Sequence, residues 1–367
     1  MKMPRTVLGL LGVVLCAGLV GACSNTPAPD SVPRVGVMHV GTDHNPPSLM
    51  TLVTALGDLG WFDGPAAPVM QQLIGDGERI NGREQQLQGE YDGQRIALIW
   101  RNLEKNQAAA QAGEFVRERV DLIVAFEDTS IAAAQAATAG PANPIPVVFL
   151  HPSDPVRDGV IGSVAHPGGN LTGAFGARDP VAKQLEHYRE ILPGPQPLRL
   201  LTLIDPTDAL ATPPLENEAK LAAGKLGIEL VEREASDDRS IEAAFQSVGP
   251  GAVNGVFTLS PSLRLNNSPK ILELAAAANL PVQAHRKEWV DPKQHDKGAL
   301  FSLGVDLAPV GTAAARFVDS ILRGSKPEDL PAQEVPKIEF ALSLKRAAEL
   351  GITVPADVVE QADPVYP

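Results

Sequence analysis

At 367 residues, 44% of them hydrophobic, the chain exceeds one ordinary core and predicts two domains. Its 31 Lys and Arg against 44 Asp and Glu give a net charge of −13, which disfavours nucleic acid as a partner. The acids are spread along the sequence without an acidic block, the pattern of a solvated surface.

In chain order the first feature is MKMPRTVLGLLGVVLCAGLVGAC, with Lys2 and Arg5 ahead of an apolar run over 7–22. That run is short for a membrane span of roughly 20 residues, and 1–22 reads as an export signal. The small residues of Val20-Gly21-Ala22-Cys23 resemble the lipobox at which bacterial lipoproteins are cleaved, so Cys23 is the expected lipidation site. Lipidation would consume the Cys23 thiol, and Cys16 would leave with the signal; no disulfide could then form, and the core alone would hold the fold. Loss of Lys2 and Arg5 would make the net charge more negative by two. The polar, Pro-rich SNTPAPDSVP that follows completes a tether over 23–33.

From residue 34, short β-branched runs alternate with helical stretches. A strand over 34–40 precedes a helix over 48–59, strand 95–100 precedes helix 104–119, and strand 122–126 precedes helix 130–138. Strands 146–150 and 170–175 are followed by helix 182–192, strand 198–204 by helix 214–226, and strand 228–231 by helix 240–248. Strand 255–259, helix 269–278, strands 282–285 and 299–303 and helix 310–322 complete the series. Nearly all these strands are apolar throughout, as strands covered on both faces are, and the alternation predicts parallel sheets with right-handed crossovers. Asp128-Thr129-Ser130 and Asp179-Pro180 sit where helix starts are expected, and Gly60, Gly227 and Gly351 where helices should end in a left-handed residue. The stretch 65–91, with GDGERINGREQQLQGEYDG, interrupts the rhythm and reads as a mobile surface insertion outside any ligand site.

Four ordered blocks resemble the type I periplasmic-binding proteins of the ABC-transporter substrate-binding group that includes tryptophan/tyrosine-import-like lipoproteins. They are VDLIVAFEDTSIAAAQAAT, PIPVVFLHPSDPVRDGVIGSVAHPGGNLTG, GALFSLGVDLAPVGTAAARFVDSILRGSKPEDLP and LSLKRAAELGITVPADVVEQAD, and the likeness runs over about 34–363. The resemblance implies an α/β fold of two doubly wound parallel-sheet lobes, joined by three chain crossings, with ligand held between them. Applied here, lobe 1 is 34–175 plus 304–324, and lobe 2 is 176–300 plus 337–363.

Ligands of open parallel sheets sit beyond the carboxyl ends of the strands, so the loops after strands hold the candidate ligand-binding residues. These are Thr42, Asp43, Asp128, Thr129, Ser130, Ser153, Asp154, Asp205, Ser260, Ser262 and Asp306. Thr129 and Ser130 at a helix start suit a carboxylate, while Asp43, Asp128, Asp154 and Asp205 suit an ammonium; an amino acid carries both charges. The competing reading for each is a helix cap or a turn. Where the family usually has a short Gly-Thr-Pro-like turn, this chain has the longer, acidic 127–130, so ligand identity does not carry across. Aromatics are few, with 3 Trp, 3 Tyr and 10 Phe, and those nearest the expected cleft, Phe126, Phe149 and Trp289, are better read as core.

The chain has no P-loop, dinucleotide fingerprint, GxSxG elbow or HExxH helix, so neither an enzyme nor a cofactor is expected. His285, Glu288 and His295 match no standard zinc spacing and stand among Arg286, Lys287, Lys293 and Lys297, which reads as a solvated charged loop. The sequon Asn170-Leu171-Thr172 is explained by the turn at its start. The expected function is that of an exported, lipid-anchored solute-binding protein. It would be a monomer, closing about a small molecule and delivering it to an ABC permease and ATPase in the membrane. The alternative is a sensory receptor coupled to a membrane signalling partner.

Overall fold

The computed structural model describes residues 31–40, 46–74, 88–140, 144–178, 180–192, 194, 197–208 and 212–367. The expected leader, Cys23 and most of the tether lie outside the described residues, as do Thr42 and Asp43.

The chain builds its first sheet from β1 (Arg34–Val40), α1 (Pro47–Asp58), α2 (Ala66–Ile74), β2 (Gln88–Asp92), β3 (Ala97–Leu103), α3 (Ala108–Arg117), β4 (Leu122–Phe126), α4 (Glu127–Thr138), β5 (Val147–Leu150) and β6 (Leu171–Gly176). It crosses to a second sheet for α5 (Val181–Ile191), β7 (Leu198–Ile204), α6 (Thr212–Leu226), β8 (Ile228–Glu234), α7 (Asp238–Gln246), β9 (Gly255–Thr258), α8 (Pro261–Asn266), α9 (Ser268–Ala277), β10 (Val282–Ala284) and β11 (Phe301–Val305). α10 (Ala308–Leu322) and β12 (Gln333–Val335) return to the first lobe. β13 (Ile338–Ser343), α11 (Leu344–Glu349), α12 (Ala356–Gln361) and β14 (Val365–Tyr366) finish the second. The strand orders are β12-β6-β5-β4-β1-β3-β2 and β14-β13-β11-β10-β9-β7-β8, so the chain passes between lobes three times, after β6, β11 and β12.

The continuous apolar strands are explained by two-sided burial. In β4, Leu122, Val124 and Phe126 enter one core of lobe 1 while Ile123 and Ala125 enter the core on the opposite face. In β7, Leu198 and Leu200 divide from Leu201 and Leu203 in the same way. Among the described residues, antiparallel strand pairs occur toward the sheet edges, β2 on β3 and β13 on β11.

The stretch 65–91 differs from the expected insertion at both ends. Val69, Met70 and Leu73 of α2 are buried in the lobe 1 core, and β2 closes the sheet edge against β3. A Cβ on Gly89 would collide with the carbonyl oxygens of Gln72 and Leu73, so helix and strand meet at backbone distance. Residues 75–87 between them lie outside the described residues. α4 also starts earlier than expected. Phe126 is its N-cap and makes no side-chain cap, which places Asp128, Thr129 and Ser130 within the first turn instead of ahead of it.

Candidate functional site

In lobe 1 the strand order reverses at β1, which has β3 on one side and β4 on the other; in lobe 2 it reverses at β7, between β8 and β9. Crevices form beyond the carboxyl ends of strands at such points. Here the two edges face each other across a cleft of about 950 Å³, open solvent included. Glu127, His151, Pro152, Ser153 and Arg157 line it from lobe 1, and Pro214, Leu215, Pro261, Arg264 and His285 from lobe 2. The crossings contribute Gly176, Ala177, Arg178, Gly304, Val305 and Leu307.

Two lobe 1 residues carry unusual backbone. Glu127 at the end of β4 has φ 61° and His151 at the end of β5 has φ 59°, a left-handed region that costs a non-glycine residue about 1–3 kcal/mol in the unfavourable cases. Arg119 and Asn279, with similar φ, follow helix ends, where such a residue is an ordinary terminator. Glu127 and His151 follow strands, and both line the cleft.

The lobe 1 wall holds its polar groups in two ways. The Asp128 carboxylate accepts from the Ser153 amide at 2.8 Å and from Ser153 Oγ at 2.5 Å, tying the first turn of α4 to the loop after β5. Burial raises the Asp128 pKa, and the two Ser153 bonds oppose it without reversing it. Ser130 Oγ and both ring nitrogens of His151 are closed off from solvent and lack a protein hydrogen-bond partner. Burial first, and the charge of His39 second, push His151 down to about 3, so its imidazole is neutral at pH 7. The Arg157 guanidinium donates to both Asp158 oxygens, at 2.7 and 2.9 Å.

On lobe 2, Arg264 of α8 is buried, at 5% exposure, yet reaches the cleft surface. His285 follows β10, and both its ring nitrogens are buried without a hydrogen-bond partner. Burial, then the charges of Arg264 and Arg286, hold its pKa well below the usual histidine range. Such an imidazole offers one donor and one acceptor and carries no charge.

Of the residues expected from sequence, Ser153 lines the cleft and Asp128 supports it from behind. Asp205, Ser260 and Ser262 are instead engaged with one another. The Asp205 amide donates to Ser260 Oγ, Thr207 donates to Asp205 Oδ1, and Ser262 Oγ donates to Asp205 Oδ2, all within 2.7–2.8 Å. Their loop neighbours Pro261 and Arg264 face the cleft. Asp154 caps a turn by accepting from the Arg157 amide, and Asp306 accepts from the Ala308 amide and from Lys337 Nζ at 2.6 Å, on the far side of the second crossing. Thr129 is half-buried in the first turn of α4 and outside the lining. Phe126 and Phe149 lie in the two lobe 1 cores, and Trp289 stacks on His295 beneath Arg286; no Phe, Tyr or Trp lines the cleft among the described residues. Arg157, Arg178, Arg264 and His285 went unread as cleft residues. Arg178 stands two residues beyond the expected lobe boundary and His285 closes an expected strand, so position alone could have marked those two. No group of His, Cys, Asp and Glu suited to a metal ion occurs among the described residues.

A family model described as ABC transporter substrate binding protein matches residues 82–366. A curated relative, the tyrosine-binding protein of Clostridioides difficile, is 24% identical over 258 residues, 70% of each chain. A solved conserved domain protein from Vibrio cholerae superposes with TM-score 0.71 at 23% identity, covering 91% of this chain and all of that one. The ABC domain from Streptococcus pneumonia solved in complex with L-Trp gives 0.70 at 19%, with the same coverage of both.

Proposed function

This chain belongs to the ABC transporter substrate binding proteins, and we propose that within that family it is the receptor of an importer, closing about an amino acid between its two lobes. The observation that carries the reading is the cleft itself: two facing carboxyl-terminal sheet edges, crossed by three connections, with buried polar atoms that no protein group satisfies. Each buried unmade hydrogen bond costs about 1–3 kcal/mol, and a bound solute would recover part of that. The mixture of guanidinium, carboxylate and neutral imidazole in an otherwise apolar lining suits a zwitterion with an apolar body. The tyrosine-binding relative and the L-Trp complex name the first ligands to try.

Calorimetry with L-tyrosine and L-tryptophan, together with native mass spectrometry of gently purified protein, tests this. Saturable 1:1 binding of an amino acid is expected; a neutral sugar retained in their place would sink the amino-acid assignment while leaving the receptor class intact.

We also propose that the chain is exported and anchored by a lipid on Cys23, which the small residues before it and the polar tether after it support. Among the described residues no helix is long and apolar enough to cross a membrane. Cys23→Ser should release the protein from the membrane fraction. A variant that stays with the membrane after normal signal removal would refute the anchor.

A further inference from the structure

The two walls of the cleft differ in sign. On lobe 1, Glu127 lines the site with Asp128 behind it, and among the described residues of that wall the cation is Arg157, bonded through two nitrogens to Asp158. On lobe 2 and the crossings the charged lining residues among those described are Arg264 and Arg178, with no acid beside them in the described lining. Arg264 is held in place by burial, whereas Arg178 lies only within 4.0 Å of Glu218 and keeps 64% of its side chain exposed. Beside Arg264 and Arg286, His285 presents a ring whose two nitrogens meet no hydrogen-bond partner. A neutral imidazole beside two guanidinium groups can donate to an anion without adding a charge that would then need solvation.

From this we propose that the ligand lies with its carboxylate on lobe 2, against Arg264 and His285 with Arg178 at the hinge, and with its amino end toward Glu127 on lobe 1. This reverses the orientation that the hydroxyls at the start of α4 suggest, and it makes Arg264 the residue that selects for a carboxylate. It rests on the reading of the cleft as a small-solute receptor, but the half-site stands or falls separately from the amino-acid assignment. A guanidinium–carboxylate pair forms charge-assisted, often bidentate bonds, and loss of one such bond weakens binding by roughly 10- to 150-fold.

The test is calorimetry of the purified protein with L-tyrosine, L-tyrosinamide and succinate, on the natural sequence and on Arg264→Gln and Arg178→Gln. Expected is loss of at least about tenfold in L-tyrosine affinity in Arg264→Gln, a smaller loss in Arg178→Gln, and a similar penalty for the amide on the unaltered protein. If Arg264→Gln fails to fold, the exposed Arg178 and the amide carry the comparison. Succinate binding that depends on Arg264, with no binding of L-tyrosine, would uphold the half-site and remove the amino-acid assignment. L-Tyrosine binding of undiminished strength in both variants, equal binding of the amide, or no binding of either carboxylate to the unaltered protein would each overturn the half-site.

Discussion

Glu127 and His151 show how one residue at a strand end can line the cleft at the expense of its own backbone. His151 also couples the site to pH. Its folded pKa is about 3 while an unfolded histidine titrates near ~6.5, so below ~6.5 the unfolded chain takes up a proton that the folded chain refuses. Stability is therefore lost as pH falls through that window. His151→Gln should flatten this slope, as seen in urea unfolding midpoints at a series of pH values between about 7 and 4. Asp128 has the opposite sign: burial raises its folded pKa, so its ionisation disfavours the fold as pH rises above the normal aspartate range near ~3.9. In Asp128→Asn the stability relative to the unaltered protein should rise between acidic and neutral pH. A flat difference would mean that the Ser153 bonds cancel the burial. The sequence marked the loops that hold these residues because strand ends and Asp, Ser and Thr are local signals. It could not separate Ser153, which faces the cleft, from Ser260, whose hydroxyl is spent on Asp205 and Thr212, since that depends on which loop lies beside which.

At the scale of elements, strands β1, β4 and β7 were legible to the residue because two-sided burial leaves a run dominated by apolar residues, unbroken in β4 and interrupted by His39 in β1 and by Arg199 and Thr202 in β7. The edge strands β2 and β12 were not, whereas the edge strand β8 was expected over its first four residues. β2 alternates exposed and half-buried residues, β12 is three residues long and largely exposed, and neither leaves an apolar run. Short helices such as α8 and α11, six residues each, are below the length at which periodicity is readable. Gly60, Gly227 and Gly351 do end their segments at φ between 64° and 86°, because that chemistry is local. The pairing of α1 with α10, some 250 residues apart in sequence, leaves its trace in a single glycine. A Cβ on Gly311 would collide with the Ser48 carbonyl and Thr51 Oγ1, and Thr51 Oγ1 donates to the Ala308 carbonyl at 2.5 Å across the same contact. Gly311→Ala gains helix propensity but must separate the two helices, with a net loss of about 1–3 kcal/mol expected in urea unfolding. An unchanged or raised midpoint would show that the helix pair can slide apart without cost.

For the whole molecule, the proposed closure of the lobes would have to be taken up by the three crossings. The second and third are tied to each other, since the Asp306 amide donates to the Lys337 carbonyl at 2.9 Å and Lys337 Nζ returns to the Asp306 carboxylate. The first and second pack closely enough that a Cβ on Gly176 would strike Val305. If the lobes close as proposed, connections bundled in this way suit rotation about one short axis, the hinge motion of two-lobed receptors, better than sliding. If a ligand joins half-sites on both lobes, its greater affinity for the closed form sets how far the population shifts. Small-angle scattering should then show a smaller radius of gyration on saturation with the ligand that calorimetry identifies. Lys337→Ala removes a bridge whose lysine is 57% exposed, so its cost in global stability should stay within about 1 kcal/mol. Because that bridge spans two crossings, the same variant should alter ligand affinity more than it alters the urea midpoint. A radius of gyration that does not change on saturation, in a protein that still binds, would mean that the lobes are already closed and that the crossings act as a brace.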